Sequence, residues 1–201
     1  MDVITISRQL GSLGFQVGQA VAAKLNYRLV WRDLINQAAI RSGAPDVALA
    51  MIDELNLLGL VPTPEQFKAY IQVVGQVIHE LAVEGGIVIV GRGGQVVLRN
   101  DPRVLHVRIL SPLDVRIQRI CDYRGISPEA ASAQIETSDK TRKNYLRRAY
   151  QTDWDDPSMY DLVLNTGRMS LATAAEIICQ AVALPYESDP TNAKIGEEED
   201  L

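Results

Sequence analysis

Cysteine is scarce in these 201 residues: Cys121 and Cys179 stand alone. They are too few and too far apart for a disulfide framework or a zinc site of the usual spacing, so a reducing compartment is the expected setting. No stretch approaches the roughly 20 apolar residues of a bilayer span. The chain opens Met1-Asp2-Val3-Ile4-Thr5, straight into a strand-like run with no basic leader, so neither secretion nor membrane insertion is expected and a cytoplasmic location is. Positive charge is not in excess either. The formal net charge is −5, and six acids from Glu187 onward against Lys194 account for all of it, which leaves residues 1–186 neutral. Wholesale binding to nucleic-acid phosphates needs a basic surface, so nucleic acid is not an expected partner, although one local basic site is possible. The tail, 187–201, has no aromatic and no apolar period and reads as an acidic, disordered end. What is present is 47% hydrophobic and 22% charged residues, the balance of one globular domain with a full core, spanning 1–186.

Short β-branched runs alternate with helical periodicity. Val3–Ser7 is followed by Gly11-Ser12-Leu13-Gly14 and then by Val17, Val21, Ala22 and Leu25 at helical spacing. Tyr27–Val30 precedes an amphipathic segment from about Arg32 to Arg41, and residues 46 to 60 again have a helical pattern. Thr63-Pro64-Glu65-Gln66 carries a capping residue, a first-turn proline and a capping-box partner, predicting a long helix to about Glu84. Ile87–Val90 reads as a strand buried on both faces and Gly91-Arg92-Gly93-Gly94 as the loop after it. Val104–Ile109 is the next strand. Ser111-Pro112 and Ser127-Pro128 each predict a capped helix start, the first ending near Gly125 and the second near Tyr150. Leu162–Leu164 is the last strand, and Ser170 caps a helix to Leu184. This order predicts an α/β fold with a doubly wound parallel sheet of about five strands, whose ligands bind in loops at the C-terminal strand ends.

Three of those loops bear on chemistry: Ser7–Phe15, Gly91–Gly94 and Asn165–Arg168. Glycines between a first strand and a helix let backbone N–H groups face an anion at the helix N-terminus. A tight turn without ligand has the same appearance. The commonest phosphate-loop pattern ends in Gly-Lys-Ser/Thr, which is missing here. Arg92, between glycines just past a buried strand, has the fork geometry to hold a phosphate, the glycines implying close approach of something to the backbone. Lys140, Arg142, Lys143, Arg147 and Arg148 place five cations in nine residues. They form either a solvated helix face or a lid over bound phosphates, and their place between the fourth and fifth strands favours the lid. His79 and His106 have no motif-placed partner and read as packed or surface histidines. Asp153, Asp155 and Asp156 read as turn and capping acids before Pro157, not as a metal site.

Four motifs in order, Ile4-Thr5-Ile6-Ser7-Arg8-Gln9-Leu10-Gly11-Ser12, Ile89-Val90-Gly91-Arg92-Gly93-Gly94, Asp139-Lys140-Thr141-Arg142 and Asp153–Thr166, resemble those of the cytidylate kinase-like proteins, a branch of the P-loop nucleoside monophosphate kinases. The resemblance covers residues 3 to about 184 and is weakest from Gly43 to Glu84. It implies a P-loop kinase fold with a helical acceptor region at about 32–84 and a lid at about 126–150. It implies phosphoryl transfer from ATP, with Mg²⁺, to a nucleoside monophosphate, cytidylate by default. Gly11, Ser12 and Gly14, with Leu13 and Phe15 between and after them, would cradle the donor phosphates. Arg92 would contact the acceptor phosphate, Arg142, Lys143, Arg147 and Arg148 would form the lid, and Asn165–Arg168 would lie near the donor base. Gly14 stands where other P-loop kinases carry the loop lysine and Phe15 where they carry the magnesium-binding hydroxyl, with Arg8 nearby as a substitute cation. Leu13 replaces a customary glycine. Trp31 stands where an acidic residue usually opens the acceptor site, with Asp33 close by. These departures leave two other readings open: a nucleotide-binding pseudokinase or sensor without turnover, and a small-metabolite kinase on the same scaffold. The sequence assigns no oligomeric state.

Overall fold

The computed structural model describes residues 1–31, Arg41 and 63–184. The helical segments expected over 32–60, Asp33 and the tail from 187 lie outside the described residues, Arg41 apart.

Five strands form one parallel sheet: β1 (Val3–Arg8), β2 (Arg28–Val30), β3 (Ile87–Val90), β4 (Val104–Leu110) and β5 (Leu162–Asn165), in the spatial order β2-β3-β1-β4-β5. All four pairings are parallel; β1 lies at the centre, with Ile4 opposite Val88 on one side and Leu105 on the other. The helices are α1 (Gly14–Leu25), α2 (Pro64–Glu84), a short α3 (Gly94–Val97), α4 (Leu113–Arg124), α5 (Pro128–Tyr150) and α6 (Leu171–Ala183), with a 3₁₀ turn at Pro157–Met159. This is the doubly wound α/β sheet expected, with the P-loop kinase order of strands. Among the described residues, no helix is long and apolar enough to cross a membrane.

Strand alternation sorts the core into two layers. Val3, Ile87, Ile89 and Val104 face α2, where Tyr70, Val74, Val77, Ile78 and Leu81 recur at helical spacing. Ile4, Ile6, Val88, Val90, Leu105, Val107 and Ile109 face the other way, onto Val17 and Val21 of α1 and Ala174, Ala175, Ile178 and Val182 of α6. Toward the C-terminal ends of β1 and β4 the α2-side face turns polar. Thr5, Ser7, His106 and Arg108 continue it and are all buried.

The capping signals held at three starts. Thr63 accepts from the Gln66 amide while the Gln66 side chain accepts from the Thr63 amide, and Ser127 and Ser170 cap α5 and α6. Ser111 does not cap α4. Pro112 takes the cap position with no side-chain hydrogen bond, because Ser111 is drawn into the loop above the sheet, where its amide donates to the Gln9 side chain at 3.1 Å. The second strand starts at Arg28 rather than Tyr27.

Candidate active site

The turn between β1 and α1 is shaped by what holds its carbonyls. Arg142 of α5 donates to the Arg8 oxygen at 3.0 Å, the Ser12 hydroxyl to Gln9 at 2.9 Å and Arg116 to Leu10 at 3.5 Å. Arg119 donates to Gly11 at 3.2 Å and Thr166 to Ser12 at 2.7 Å. The Leu13 oxygen accepts from Val17, the first bond of α1. Six consecutive carbonyls are thus engaged by the scaffold. Leu13 sits at φ 61° in the left-handed region, and no side chain caps α1. Among the described residues, the first-turn amides of Gly14, Phe15 and Gln16 therefore have no capping side chain. A non-glycine residue in that conformation costs about 1 kcal/mol, which places the strain where the loop turns.

Arg116 and Arg119, three residues apart on α4, bond this turn and were missed by sequence reasoning; Thr166 lies in the loop after β5 that the sequence marked. The motif containing Thr166 was legible; the direction of the α4 arginines was not. Arg116 is itself held by Asp139 at 2.8 Å, nearly buried on both sides. Arg119 also donates to the Thr166 carbonyl at 2.8 Å.

Arg8, Phe15 and Trp31 form one group. Phe15 and Trp31 have ring centroids 4.8 Å apart, and the Arg8 guanidinium lies 5.6 Å from the Trp31 ring. Gly14 is packed under Arg8: a Cβ on residue 14 would lie 2.5 Å from the Arg8 Cβ.

Arg92 lies beside two tyrosines of α5. Its backbone is left-handed, φ 58°, its carbonyl accepts from the hydroxyls of Tyr145 (3.4 Å) and Tyr150 (3.2 Å), and its guanidinium lies 5.5 Å from the Tyr145 ring. The close approach implied by Gly93 comes from the Tyr150 ring, which covers that glycine. Burial pushes the Tyr150 hydroxyl up to about 12 and that of Tyr145 well above the ordinary tyrosine value, so both stay protonated and can donate.

The basic stretch on α5 does not converge on one point. Arg142 reaches the β1–α1 turn. Lys143 pairs with Asp155 at 2.5 Å, Arg147 donates to Asn144, and Arg148 lies over Phe67 of α2 at 4.4 Å. Lys140 and Arg168 carry no described contact of this kind. Asp155 also accepts from Arg108 at 2.7 Å. Arg108 in turn donates to the Trp154 carbonyl and the Tyr160 hydroxyl, with its guanidinium 4.3 Å from the Trp154 ring. The Trp154 indole donates to Ser7 at 2.8 Å. Of the acids read as turn formers, Asp153 and Asp156 accept from backbone amides as expected. His79 is exposed and His106 buried against Thr5, so neither adjoins the turn as a base.

The model of the cytidylate kinase-like family matches residues 3–168. The chain belongs to the cytidylate kinase-like family. The cytidylate kinase of Pyrococcus horikoshii is 28% identical over 188 residues, covering 90% of this chain and 88% of that enzyme. Uronate isomerase of Corynebacterium glutamicum is 26% identical over 155 residues, which are 77% of this chain but 30% of that protein, so the likeness concerns less than a third of it. Among solved structures, a protein from Eubacterium ventriosum superposes with a TM-score of 0.69 at 23% identity, over 90% of this chain and 97% of that one. A gluconokinase from Sinorhizobium meliloti superposes at 0.58 and 16%, over 90% and 91%. These likenesses show the P-loop kinase fold shared by a cytidylate kinase-like chain and kinases of other small molecules.

Proposed function

We propose that this protein is a phosphotransferase that moves the terminal phosphoryl group of ATP to a nucleoside monophosphate of the cytidylate type. The supporting observation is the β1–α1 turn, in which arginine, threonine and serine donors hold the carbonyls of residues 8 to 12 while uncapped amides open α1. Such an array suits a polyphosphate, since N–H dipoles and a helix N-terminus face the charge and no carbonyl opposes it. In the transfer, the bond between the terminal phosphorus and its bridging oxygen breaks, ADP leaves with the electron pair, and an acceptor phosphate oxygen forms the new bond. The protein's part is to align the two phosphates and neutralise charge, which dominates catalysis of this reaction. Gly11–Phe15 would hold the donor, Arg92 the acceptor phosphate, and Arg142, Lys143, Arg147 and Arg148 would lie along the closing helix. Asn165–Arg168, tied to α4 through Arg119, would border the donor base.

Mg²⁺ fits only as a companion of the nucleotide. Phe15 stands at the hydroxyl position of the loop, and among the described residues no three His, Cys, Asp or Glu side chains group to hold a metal.

Purified protein incubated with ATP, Mg²⁺ and each nucleoside monophosphate in a coupled ADP-release assay is expected to turn over CMP fastest. ADP release only with phosphorylated or hydroxylic metabolites would move the acceptor to that class. The Phe15–Trp31 contact at the loop favours a second reading, nucleotide binding without turnover. Tight ATP binding by calorimetry with no ADP formed from any acceptor is its signature.

A further inference from the structure

We propose that Tyr70 is an acceptor-binding residue, whose hydroxyl donates to the phosphate of the monophosphate acceptor beside Arg92. The inference rests on the phosphotransfer reading above and deepens it on the acceptor side.

Tyr70 lies in α2, within the stretch where the family resemblance is weakest, and no motif assigns it a role. A two-residue turn, Gly85-Gly86, joins α2 to β3. The helix therefore runs back along that strand, and its first turns lie toward the strand end from which Gly91–Gly94 leaves. Tyr70, in the second turn, is 0% exposed and belongs to the core layer of Val30 and Ile89. Such a place suits a phenol ring and penalises its hydroxyl, because a buried O–H without a partner forfeits its hydrogen bonds to water.

The other buried phenols have partners. Tyr145 and Tyr150 donate to the Arg92 carbonyl at 3.4 and 3.2 Å, and Tyr160 donates to the Trp154 carbonyl at 3.0 Å. The Tyr70 hydroxyl is buried with no hydrogen-bond partner among the described residues. Burial raises it above the ordinary tyrosine value, so it stays protonated and is a donor. The charge of Arg92 and the hydroxyl of Tyr145 both act on it, and it acts in turn on Tyr150. The Arg92 guanidinium is 5.5 Å from the Tyr145 ring, so the three phenols and this cation form one group where α2, α5 and the loop after β3 meet. Phe67, one turn before Tyr70 on α2, stands edge-on to the Tyr145 ring with centroids 6.3 Å apart.

Two of the three hydroxyls are committed to the backbone of the loop, and the third is uncommitted beside the arginine proposed for the acceptor. A phosphate monoester suits this pair, since its oxygens accept from a guanidinium and a neutral phenol at once. A site built around a buried donor rejects ligands that leave the donor unpaired, so the hydroxyl selects for the phosphate and not for the nucleoside. It is enclosed by the group around it, and an entering phosphate parts the contact of Phe67 with Tyr145 to reach it.

Calorimetry compares the full chain with Tyr70→Phe, which keeps the ring and removes only the hydroxyl, using CMP, cytidine and ATP·Mg²⁺ as ligands, with thermal melting of both proteins. Tyr70→Phe is expected to melt at or above the temperature of the parent, since a buried unpaired O–H has gone, and to bind CMP at least about tenfold more weakly, as for loss of a hydrogen bond to a charged group. Cytidine and ATP·Mg²⁺ affinities are expected to stay within about twofold, with KM for CMP raised and KM for ATP unchanged in the coupled assay. A merely structural hydroxyl gives the opposite split, a lower melting temperature with CMP affinity intact. CMP binding within about twofold of the parent by folded Tyr70→Phe protein overturns the inference and leaves the phosphotransfer reading standing. Equal weakening of CMP and cytidine also overturns it, placing the hydroxyl away from the phosphate. Where Tyr70→Phe does not fold, Tyr70→Met fills the space without a hydroxyl and is read in the same way. A parent protein that binds ATP·Mg²⁺ but no nucleoside monophosphate removes both.

Discussion

The Arg108 guanidinium is buried, at 6% exposure, and the segment before β5 is arranged around it. The Trp154 carbonyl and Tyr160 hydroxyl accept from it, two aromatic rings flank it, and Asp155 gives the counter-charge. Asp155 is half exposed and shared with Lys143, so its pairing is partly screened by water. Asp155→Asn is expected to cost about 1–2 kcal/mol, chiefly through Arg108, which keeps its other acceptors; urea unfolding measures it, and a loss below about 0.3 kcal/mol would contradict this account. His106 gives a pH dependence. Burial holds its imidazole below the ordinary 6.5, while Asp161 opposes this in part. The folded state keeps the ring neutral and the unfolded chain protonates it, so this stability is present above pH about 6.5 and is lost as pH falls toward the depressed folded value. Melting temperature is expected to fall between pH 7 and pH 5, and less steeply in His106→Gln; parallel curves for the two proteins would refute the assignment.

Local signals fixed individual elements well. The Thr63 capping box starts α2 in the form its four residues prescribe, and the continuous apolar run of β3 is buried at every position. Thr63→Ala should cost about 1 kcal/mol, seen as a melting temperature lower by about 2–4 °C. Ser111 shows where local signals end. The same Ser-Pro pattern caps α5 at Ser127 but not α4, because at Ser111 a long-range partner, Gln9, competes for the segment. Gly93 gives the matching lesson for loops. Its left-handed φ of 74° and the Tyr150 ring lying over it predict that Gly93→Ala destabilises by roughly 2–4 kcal/mol. The additional mutation Tyr150→Ala, by opening that space, should recover part of the loss in a double-mutant cycle; full additivity would show the two are uncoupled.

Among the described residues, α5 bonds three separate segments at once. Arg142 bonds the turn proposed for the donor, Tyr145 and Tyr150 bond the Arg92 carbonyl in the loop proposed for the acceptor, and Lys143 bonds Asp155. Tyr145→Phe/Tyr150→Phe removes both hydroxyl donors to Arg92 and keeps the rings. It is expected to cost about 1–3 kcal/mol and to weaken CMP binding more than ATP binding, as read by calorimetry. Equal weakening of both would place the effect on the helix as a whole.

The residues by themselves determined the order of strands and helices, because period, caps and glycine turns act over a few neighbouring positions. They also marked three loops as candidates for the chemistry and the absence of the usual lysine. Only the tertiary structure decided which guanidinium meets which carbonyl. Arg116 and Arg119 lie over 100 residues from the turn they bond, and a spacing of that size carries no local period. It likewise decided that Gly14 is packed against the Arg8 stem, a contact that exists only once β1 and α1 are packed together.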